Sequence, residues 1–289
     1  MQKRSYWTIG YFFVVPALII VAIVTFFPYL YAIFISFHEM KYGTLIGFSG
    51  LDNYVRVLKT DTFQKVVVNQ TIIIVFSALF QFLLGISGAL ALNRRSKTAY
   101  ALRSALLVPW VIPGVVCGLL WKWILDGNAG VVNLVLSSAG IIDKNIAFLS
   151  DSRLALVCII IVNIWRVFPF MMVMYLAGLQ SVPSDQYEAA LVDGANFWHR
   201  LIWVTFPNMK PVIALTMILS TIWNFKLFDI VWTLTRGGPS QATEVFGTLI
   251  YKSSVQDVDF GFSSATAVLM ALIMAIPIAV YQKLSVKKA

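Results

Sequence analysis

Residues 154–179 read LALVCIIIVNIWRVFPFMMVMYLAGL, an apolar run in which Arg166 is the single charged residue. A helix needs about 20 mostly apolar residues to cross the hydrocarbon core of a bilayer, so this run predicts a membrane-spanning helix. Five other runs along the chain have the same character, and together they predict six transmembrane helices. The predicted spans are 9–37, 66–92, 104–125, 154–179, 211–234 and 262–281.

The composition of the chain excludes a soluble protein. Of its 289 residues, 59% are hydrophobic and 12% are charged, whereas about a quarter of the residues of a soluble domain are charged. We therefore predict an all-α polytopic membrane protein that lies in the lipid bilayer and forms a single transmembrane domain over residues 1–289. The first span follows Lys3 and Arg4, but it is too long for a signal peptide, so we interpret it as a retained helix.

Membrane topology explains the positive charge of the chain. The formal net charge is +9, which in a soluble protein would suggest nucleic-acid binding. In membrane proteins, Lys and Arg collect in the cytoplasmic loops. An N-terminus inside the cell places the densest basic groups in the cytoplasm, namely Lys3, Arg4, Arg94, Arg95, Lys97, Arg103, Lys283, Lys287 and Lys288. We therefore predict that both termini are cytoplasmic and that the protein binds no nucleic acid.

The loop over residues 181–210 is the one predicted cytoplasmic loop that is long enough to be structured. It reads SVPSDQYEAALVDGANFWHRLIWVTFPNMK. Ser184 is expected to cap a helix, and Asp185 suits the positive end of the helix dipole. Gly194 relaxes the backbone and allows a sharp bend before a second amphipathic helix.

The predicted helix–bend–helix has the shape of a docking element. Its first helix has an apolar stripe with small residues, made of Tyr187, Ala190, Leu191 and Gly194. Pro207 and Pro211 are expected to end the second helix just before the fifth span. Such a segment fits a groove on a cytoplasmic partner. The alternative is an amphipathic helix that rests on lipid headgroups, but the polar face is acidic near its start and not rich in Lys and Arg.

The order of residues in this loop resembles the EAA loop of binding-protein-dependent ABC importer permeases. Glu188-Ala189-Ala190 is followed at the family's spacing by Gly194, and Pro207 stands where the family has its closing proline. The departures are mild. Phe206 replaces the leucine before that proline, and Ile202 lies two positions before the family's isoleucine.

Two further stretches resemble the carbohydrate-uptake branch of these permeases. They are IWRVFPF at 164–170 and LTRGGP at 234–239. The resemblance implies a type I ABC importer permease fold with both termini in the cytoplasm of a prokaryotic cell, an importer core over 66–282, and a di- or oligosaccharide substrate. It also implies a pseudo-symmetric heterodimer with a second permease, two ATPase subunits and an extracytoplasmic sugar-binding protein.

The same resemblance implies that the 181–210 loop couples transport to ATP. Closure of the ATPases on ATP would move the docked loop and switch the spans between inward-open and outward-open states. The chain has no GxxxxGK(S/T) phosphate loop, so we predict that it is not an enzyme, that it binds no cofactor, and that ATP and Mg are bound by the partner ATPases. The implied coupling residues are Glu188, Ala189, Ala190, Asp193, Gly194 and Pro207.

Polar residues inside the predicted spans suggest a substrate pathway or contacts between helices. Lys226 and Asp229 are three residues apart and can pair with each other or with Arg166. The candidate pathway residues are Asn163, Trp165, Arg166, Trp223, Asn224, Lys226 and Asp229. The alternative is that these groups bridge helices, and we favour it because one half of a paired pore can supply most of a binding site.

Other functions leave characteristic signals in a sequence. A secondary transporter driven by an ion gradient usually shows inverted repeats, and none is visible. A membrane enzyme needs a catalytic pair or a metal set, and with two His and two Cys that lack ligand spacing the sequence predicts no metal site. An ABC importer permease for a solute other than sugar remains an alternative.

Overall fold

The computed structural model describes residues 13–286, which are mostly helical. Five helical stretches are long and apolar enough to cross a membrane, and two shorter helices joined by a bend form a sixth candidate span. In chain order the elements are α1 (Phe13–Ser36), β1 (His38–Lys41), β2 (Thr44–Phe48), α2 (Asp52–Lys59), α3 (Asp61–Leu92), α4 (Lys97–Val111), α5 (Gly114–Ile124), α6 (Val131–Ser138), α7 (Leu154–Gln180), α8 (Ser184–Val192), α9 (Phe197–Arg200), α10 (Phe206–Phe225), α11 (Asp229–Leu234), α12 (Phe246–Tyr251) and α13 (Phe260–Val286).

Several expectations concern residues outside this range. The first four residues of the predicted first span, 9–12, lie outside the described residues, and so do Lys3, Arg4, Lys287 and Lys288. The predicted spans over 66–92, 154–179 and 262–281 fall within α3, α7 and α13.

The third predicted span, 104–125, is a pair of helices and not one straight helix. α4 and α5 form an angle of 96° at Ile112 and Pro113. Ile112 is extended, with φ −65° and ψ 127°, as a residue before proline commonly is. Pro113 has no N–H with which to continue the helix. The sequence therefore located this apolar segment but not its bend.

The expectation that Pro207 and Pro211 end a helix was wrong. The helical backbone continues from residue 197 to 225 through a π-helical turn at Leu201–Thr205. Such turns absorb irregularities in the hydrogen-bond ladder. Asn208 Nδ2 also donates to the carbonyl of Val204 over 2.7 Å, which adds a side-chain hydrogen bond to this part of the helix.

The described residues form two compact units, one of 13–60 with Leu249–Ala271 and a larger one of Asp61–Thr248 with 272–286. In the larger unit, α7 packs against α3, α4, α10 and α11. Two glycines allow α3 to approach α7 closely. A Cβ added at Gly85 would lie 2.9 Å from the Cβ of Met171, and one at Gly88 would lie 3.0 Å from the Sδ of Met172.

The smaller unit contains a β-hairpin that the sequence did not predict. β1 and β2 are antiparallel, and the turn between them has positive φ at Tyr42 (50°) and Gly43 (79°), as in a type I′ turn. Asn53 of α2 donates from Nδ2 to the carbonyl of His38 over 2.9 Å. Arg56 of α2 forms a 2.6 Å ion pair with Asp259. These contacts hold the hairpin, α2 and the start of α13 together.

Candidate functional site

A cavity of about 330 Å³ lies in the larger unit, where α4, α7 and α10 meet the break before α11. Five of the seven candidate pathway residues line it. The lining residues are Trp110, Asn163, Arg166, Val167, Trp223, Lys226, Leu227, Phe228, Asp229 and Ile230. Trp165 and Asn224 are not among them. The structure therefore brings most of the predicted residues to one place.

Three charged side chains line this cavity. Arg166 Nε donates over 3.4 Å to the carbonyl of Ile112, at the bend between α4 and α5. Lys226 follows the last residue of α10 and Asp229 begins α11, so a break in the helix separates them. Within residues 13–286 no ion pair joins these three side chains, so the pairing that the sequence allows is not formed. Their charges are therefore available to a polar solute.

Two residues that line the cavity, Trp110 and Trp223, are connected through the ring of Phe170, which is not itself a lining residue. Trp110 of α4 stacks on Phe170 of α7 with ring centroids 5.0 Å apart, and Phe170 meets Trp223 of α10 edge-on at 5.0 Å. The sequence pointed to Trp223 but missed Trp110 and Phe170, since spacing does not reveal contacts between helices. Flat apolar faces beside charged hydrogen-bonding groups suit a polar ring compound.

An amide network, which we define as Asn163, Asn224, Ser77, Ser220 and Gln81, lies beside the cavity. Asn163 Nδ2 donates to Asn224 Oδ1 over 2.6 Å and to Ser77 Oγ over 3.1 Å. Asn224 Nδ2 donates to Ser220 Oγ over 3.1 Å, and Ser220 Oγ donates to Gln81 Oε1 over 2.7 Å. Asn163 and Asn224 are each 2% exposed. The network joins α3, α7 and α10, an arrangement that supports the helix-bridging interpretation of these two residues.

Trp165 packs against a neighbouring helix and does not line the cavity. Its ring meets Trp121 of α5 edge-on with centroids 5.5 Å apart, against the buried apolar core of the larger unit. An aromatic pair of this kind stabilises the contact between two helices.

The structure has the bend at Gly194 that the sequence predicts. The N–H of Ala195 donates to the carbonyl of Ala190 over 2.9 Å, and the N–H of Gly194 donates to that of Leu191 over 3.1 Å, the two bonds of a Schellman cap. Gly194 has φ +76°, and a Cβ added there would meet nothing within 4 Å. Glycine is therefore favoured by backbone conformation and not by space. No side-chain hydrogen bond caps the start of α8, so the capping role expected of Ser184 was wrong.

Two side-chain hydrogen bonds tie α8 to the helix that follows the bend. The hydroxyls of Tyr187 and Thr205 are 2.9 Å apart, and Asn208 Nδ2 donates to Gln186 Oε1 over 2.7 Å. Sequence reasoning missed both bonds, because each joins residues on opposite sides of the bend. The two arms of the bent segment are therefore braced against each other.

The outer side of the bent segment is exposed and rich in apolar groups. Val192 is 88% exposed and Trp203 is 74% exposed. In the predicted apolar stripe, Leu191 and Gly194 are exposed, whereas Tyr187 and Ala190 are half-buried. Of the implied coupling residues, Ala190 is half-buried and the others are exposed, namely Glu188, Ala189, Asp193, Gly194 and Pro207. An exposed apolar surface of this kind is typical of a docking site.

Comparison with known proteins identifies the family. A family model described as "Binding-protein-dependent transport system inner membrane component" matches residues 81–288, a range that contains both the cavity and the bent segment. The chain belongs to this permease family. Its family and its apolar helices make the permease a multi-pass protein of the prokaryotic inner membrane.

The permease is similar to members of named transport systems over nearly its whole length. It is 34% identical over 276 residues to the trehalose/maltose transport system permease protein of Thermococcus litoralis. This match covers 95% of the present chain and 92% of that protein. It is 32% identical over 279 residues to the lactose transport system permease protein of Rhizobium radiobacter, with 95% and 93% covered.

A solved structure confirms the fold. The permease matches a chain from the crystal structure of a bacterial ABC transporter involved in the import of the acidic polysaccharide alginate. The TM-score is 0.84, the sequence identity is 24%, and the match covers 99% of this chain and 98% of the other. The prediction of an all-α polytopic fold, that of a type I ABC importer permease, is therefore confirmed.

Proposed function

We propose that this permease is one pore half of an ATP-driven importer of di- or oligosaccharides. The observation that carries the proposal is its similarity, over 95% of the chain, to permeases named for trehalose/maltose and for lactose transport. The cavity supports the proposal chemically. Trp110 and Trp223 offer flat apolar faces to a sugar ring, while Arg166, Lys226 and Asp229 offer donors and acceptors to its hydroxyl groups.

The complete importer would contain several partners. The permease would pair with a second permease, receive two ATPase subunits from the cytoplasm, and accept substrate from an extracytoplasmic sugar-binding protein. Membership of the binding-protein-dependent family supports this assembly. ATP and Mg would be bound by the ATPase subunits, and this chain would hold no cofactor and catalyse no reaction. Both termini and the bent segment would lie in the cytoplasm.

The bent segment would couple the ATPases to the cavity. An ATPase that holds the exposed residues around Glu188 and Gly194 would move α8. The Tyr187–Thr205 bond would pass this movement to the helix that continues as α10. α10 reaches the cavity at Trp223, about 30 Å away along a helix of 20 residues. Closure of the ATPases would thereby change which side of the membrane the cavity faces.

The substrate class is tested by ATPase stimulation in vesicles. The complete complex is reconstituted, and a panel of binding proteins loaded with different solutes is added outside. We expect stimulation by binding proteins that carry di- or oligosaccharides. Stimulation by proteins loaded with peptides or metal ions instead would overturn the saccharide assignment and leave the importer class intact. Uptake that survives loss of ATP but collapses with the proton gradient would overturn the ATP-driven mechanism.

The coupling role is tested at Gly194 with a matched pair of variants. Gly194→Val is strained because a β-branched residue rarely adopts a positive φ, whereas Gly194→Asn is tolerated there. Both side chains enter open space, so no steric clash separates them. We expect Gly194→Val to weaken ATPase association and uptake together and Gly194→Asn to retain both. Equal uptake by the two variants would contradict a coupling role for the bend.

A further inference from the structure

A basic pocket of about 780 Å³ lies at one end of the spans of the larger unit. α3 ends at Leu92, α7 ends at Gln180 and α4 begins at Lys97, and the pocket is formed by residues next to these three helix ends. Because long apolar helices end where the hydrocarbon core ends, the pocket lies at the depth of the lipid headgroups. Its position alone brings it within reach of membrane lipid.

The side chains of this basic pocket are suited to an anion. Arg94, Arg95 and Arg103 line it, and none of the lining residues is acidic. Arg94 and Arg95 are exposed. Ser184 also lines the pocket and brings the first turn of α8, the positive end of that helix dipole, to the same place. Three guanidinium groups without a lining carboxylate give a strongly positive local potential.

Arg103 shows that one part of this pocket has a fixed geometry. One of its terminal nitrogens donates to the carbonyls of Leu92 and Arg94, which holds the guanidinium at the end of α3. The same group lies 4.8 Å above the ring of Tyr100. Its Nε is buried and has no hydrogen-bond partner among the described residues. Arg94 and Arg95 therefore lie beside a third guanidinium that backbone carbonyls hold in place.

We propose that this pocket binds the phosphate headgroup of an anionic phospholipid. Guanidinium groups match phosphate oxygens with paired hydrogen bonds, and basic pockets between spans at the membrane surface hold such headgroups. The acyl chains of the lipid would lie along α4, on which Leu102 is 47% exposed and Val108 is 57% exposed. A free phosphate ion would gain nothing from these apolar side chains, which favours the lipid.

The ATPase is a less suitable occupant of this pocket. The pocket reaches α8 at Ser184 and Tyr187, before the bend. The exposed apolar groups and a groove of about 360 Å³ lie at the bend itself, between Ala190 and Trp203. If the bend is the ATPase contact, as proposed above, the ATPase docks at the groove and leaves the basic pocket to lipid.

The test measures lipid retention by the complete permease–ATPase complex in detergent. Phosphatidylglycerol or phosphatidylcholine is added in increasing amounts, and bound lipid is counted by native mass spectrometry. We expect preferential retention of phosphatidylglycerol. Arg94→Gln and Arg95→Gln should each raise its half-retention concentration about fivefold. Lys97→Gln is the matched control, since it removes the same charge at the first residue of α4, close in sequence to the two arginines but outside the pocket, and it should change nothing.

Three results would overturn the proposal. The first is equal retention of the two lipids by the complex, which is also the result expected if an ATPase segment fills the pocket. The second is a shift for Lys97→Gln as large as that for Arg94→Gln, since this indicates a diffuse charge effect. The third is displacement of phosphatidylglycerol by millimolar inorganic phosphate, which indicates a site for free phosphate. Lipid retention is measured without transport, so its outcome is independent of the sugar assignment.

Discussion

Two neighbouring groups of polar side chains in the larger unit differ in charge, in burial and in hydrogen bonding. The amide network is neutral and buried, and its members hydrogen-bond to one another across three helices. Arg166, Lys226 and Asp229 are charged, line open space, and form no ion pair within the described part of the chain. The first arrangement stabilises helix packing. The second leaves charge available to a solute, which is the property that a transport pathway needs.

The largest effect is expected where the amide network is cut. Asn163→Ala or Asn224→Ala leaves a buried partner without its hydrogen bond, which destabilises a protein by about 1–3 kcal/mol. The double variant should lose less than the sum of the two by up to about 1.7 kcal/mol, the upper range for such pairs in membranes. The measurement is thermal unfolding of the purified complex for a double-mutant cycle. Strictly additive losses, or a change of sugar selectivity with normal stability, would show that the network is not structural.

A smaller effect is expected at the cavity, where a substitution should change uptake and leave stability unchanged. Lys226→Gln removes a charge that has no partner within residues 13–286, so the thermal stability should not change. The half-saturating substrate concentration for uptake should rise about tenfold, since hydrogen bonds to charged groups contribute about 1.5–3 kcal/mol. Lys144→Gln, an exposed residue between α6 and α7, is the matched control and should leave both quantities unchanged. Lost stability with unchanged uptake would place Lys226 with the structural group.

The smallest effect is expected from substitutions at two glycines of α5, and it tests whether Asp229 belongs to the transport pathway. A Cβ added at Gly114 would lie 2.7 Å from Asp229 Oδ2, and one at Gly118 would lie 2.7 Å from Thr233 Cβ. Gly114→Ala and Gly118→Ala should each destabilise the complex by about 1 kcal/mol through overpacking. Only Gly114→Ala should also change uptake, because Asp229 lines the cavity and Thr233 does not. An equal change of uptake in both variants would remove Asp229 from the pathway.

Much of the fold could be predicted because its signals are local. The apolar runs predicted the spans, and a glycine followed by an amphipathic helix predicted the bend at Gly194. The bend between α4 and α5 could not be located by hydropathy, since apolar residues lie on both sides of it. Its local signal was the Pro113-Gly114 pair. Prolines were misleading elsewhere, because the π turn accommodates Pro207 in a continuous helix.

The candidate site was predicted by residue type and only partly by position. Charged and aromatic residues inside spans are unusual enough to be noticed, and five of the seven line the cavity. Trp110 and Phe170 were missed because their importance arises from contacts between helices, namely Trp110 with Phe170 and Phe170 with Trp223. The Tyr187–Thr205 brace was missed for the same reason.

The sequence by itself determined that the chain crosses a bilayer several times and that a bent segment follows the fourth span. Apolar runs and a glycine at a helix end are local features of the sequence, so they can be recognised without a structure. Only the tertiary structure decided which polar groups meet. Asn163 and Asn224 are 61 residues apart and hydrogen-bonded, whereas Lys226 and Asp229 are nearly adjacent and separated by the end of a helix. Hydrogen bonding depends on where helices cross in space, and spacing along the chain does not specify it.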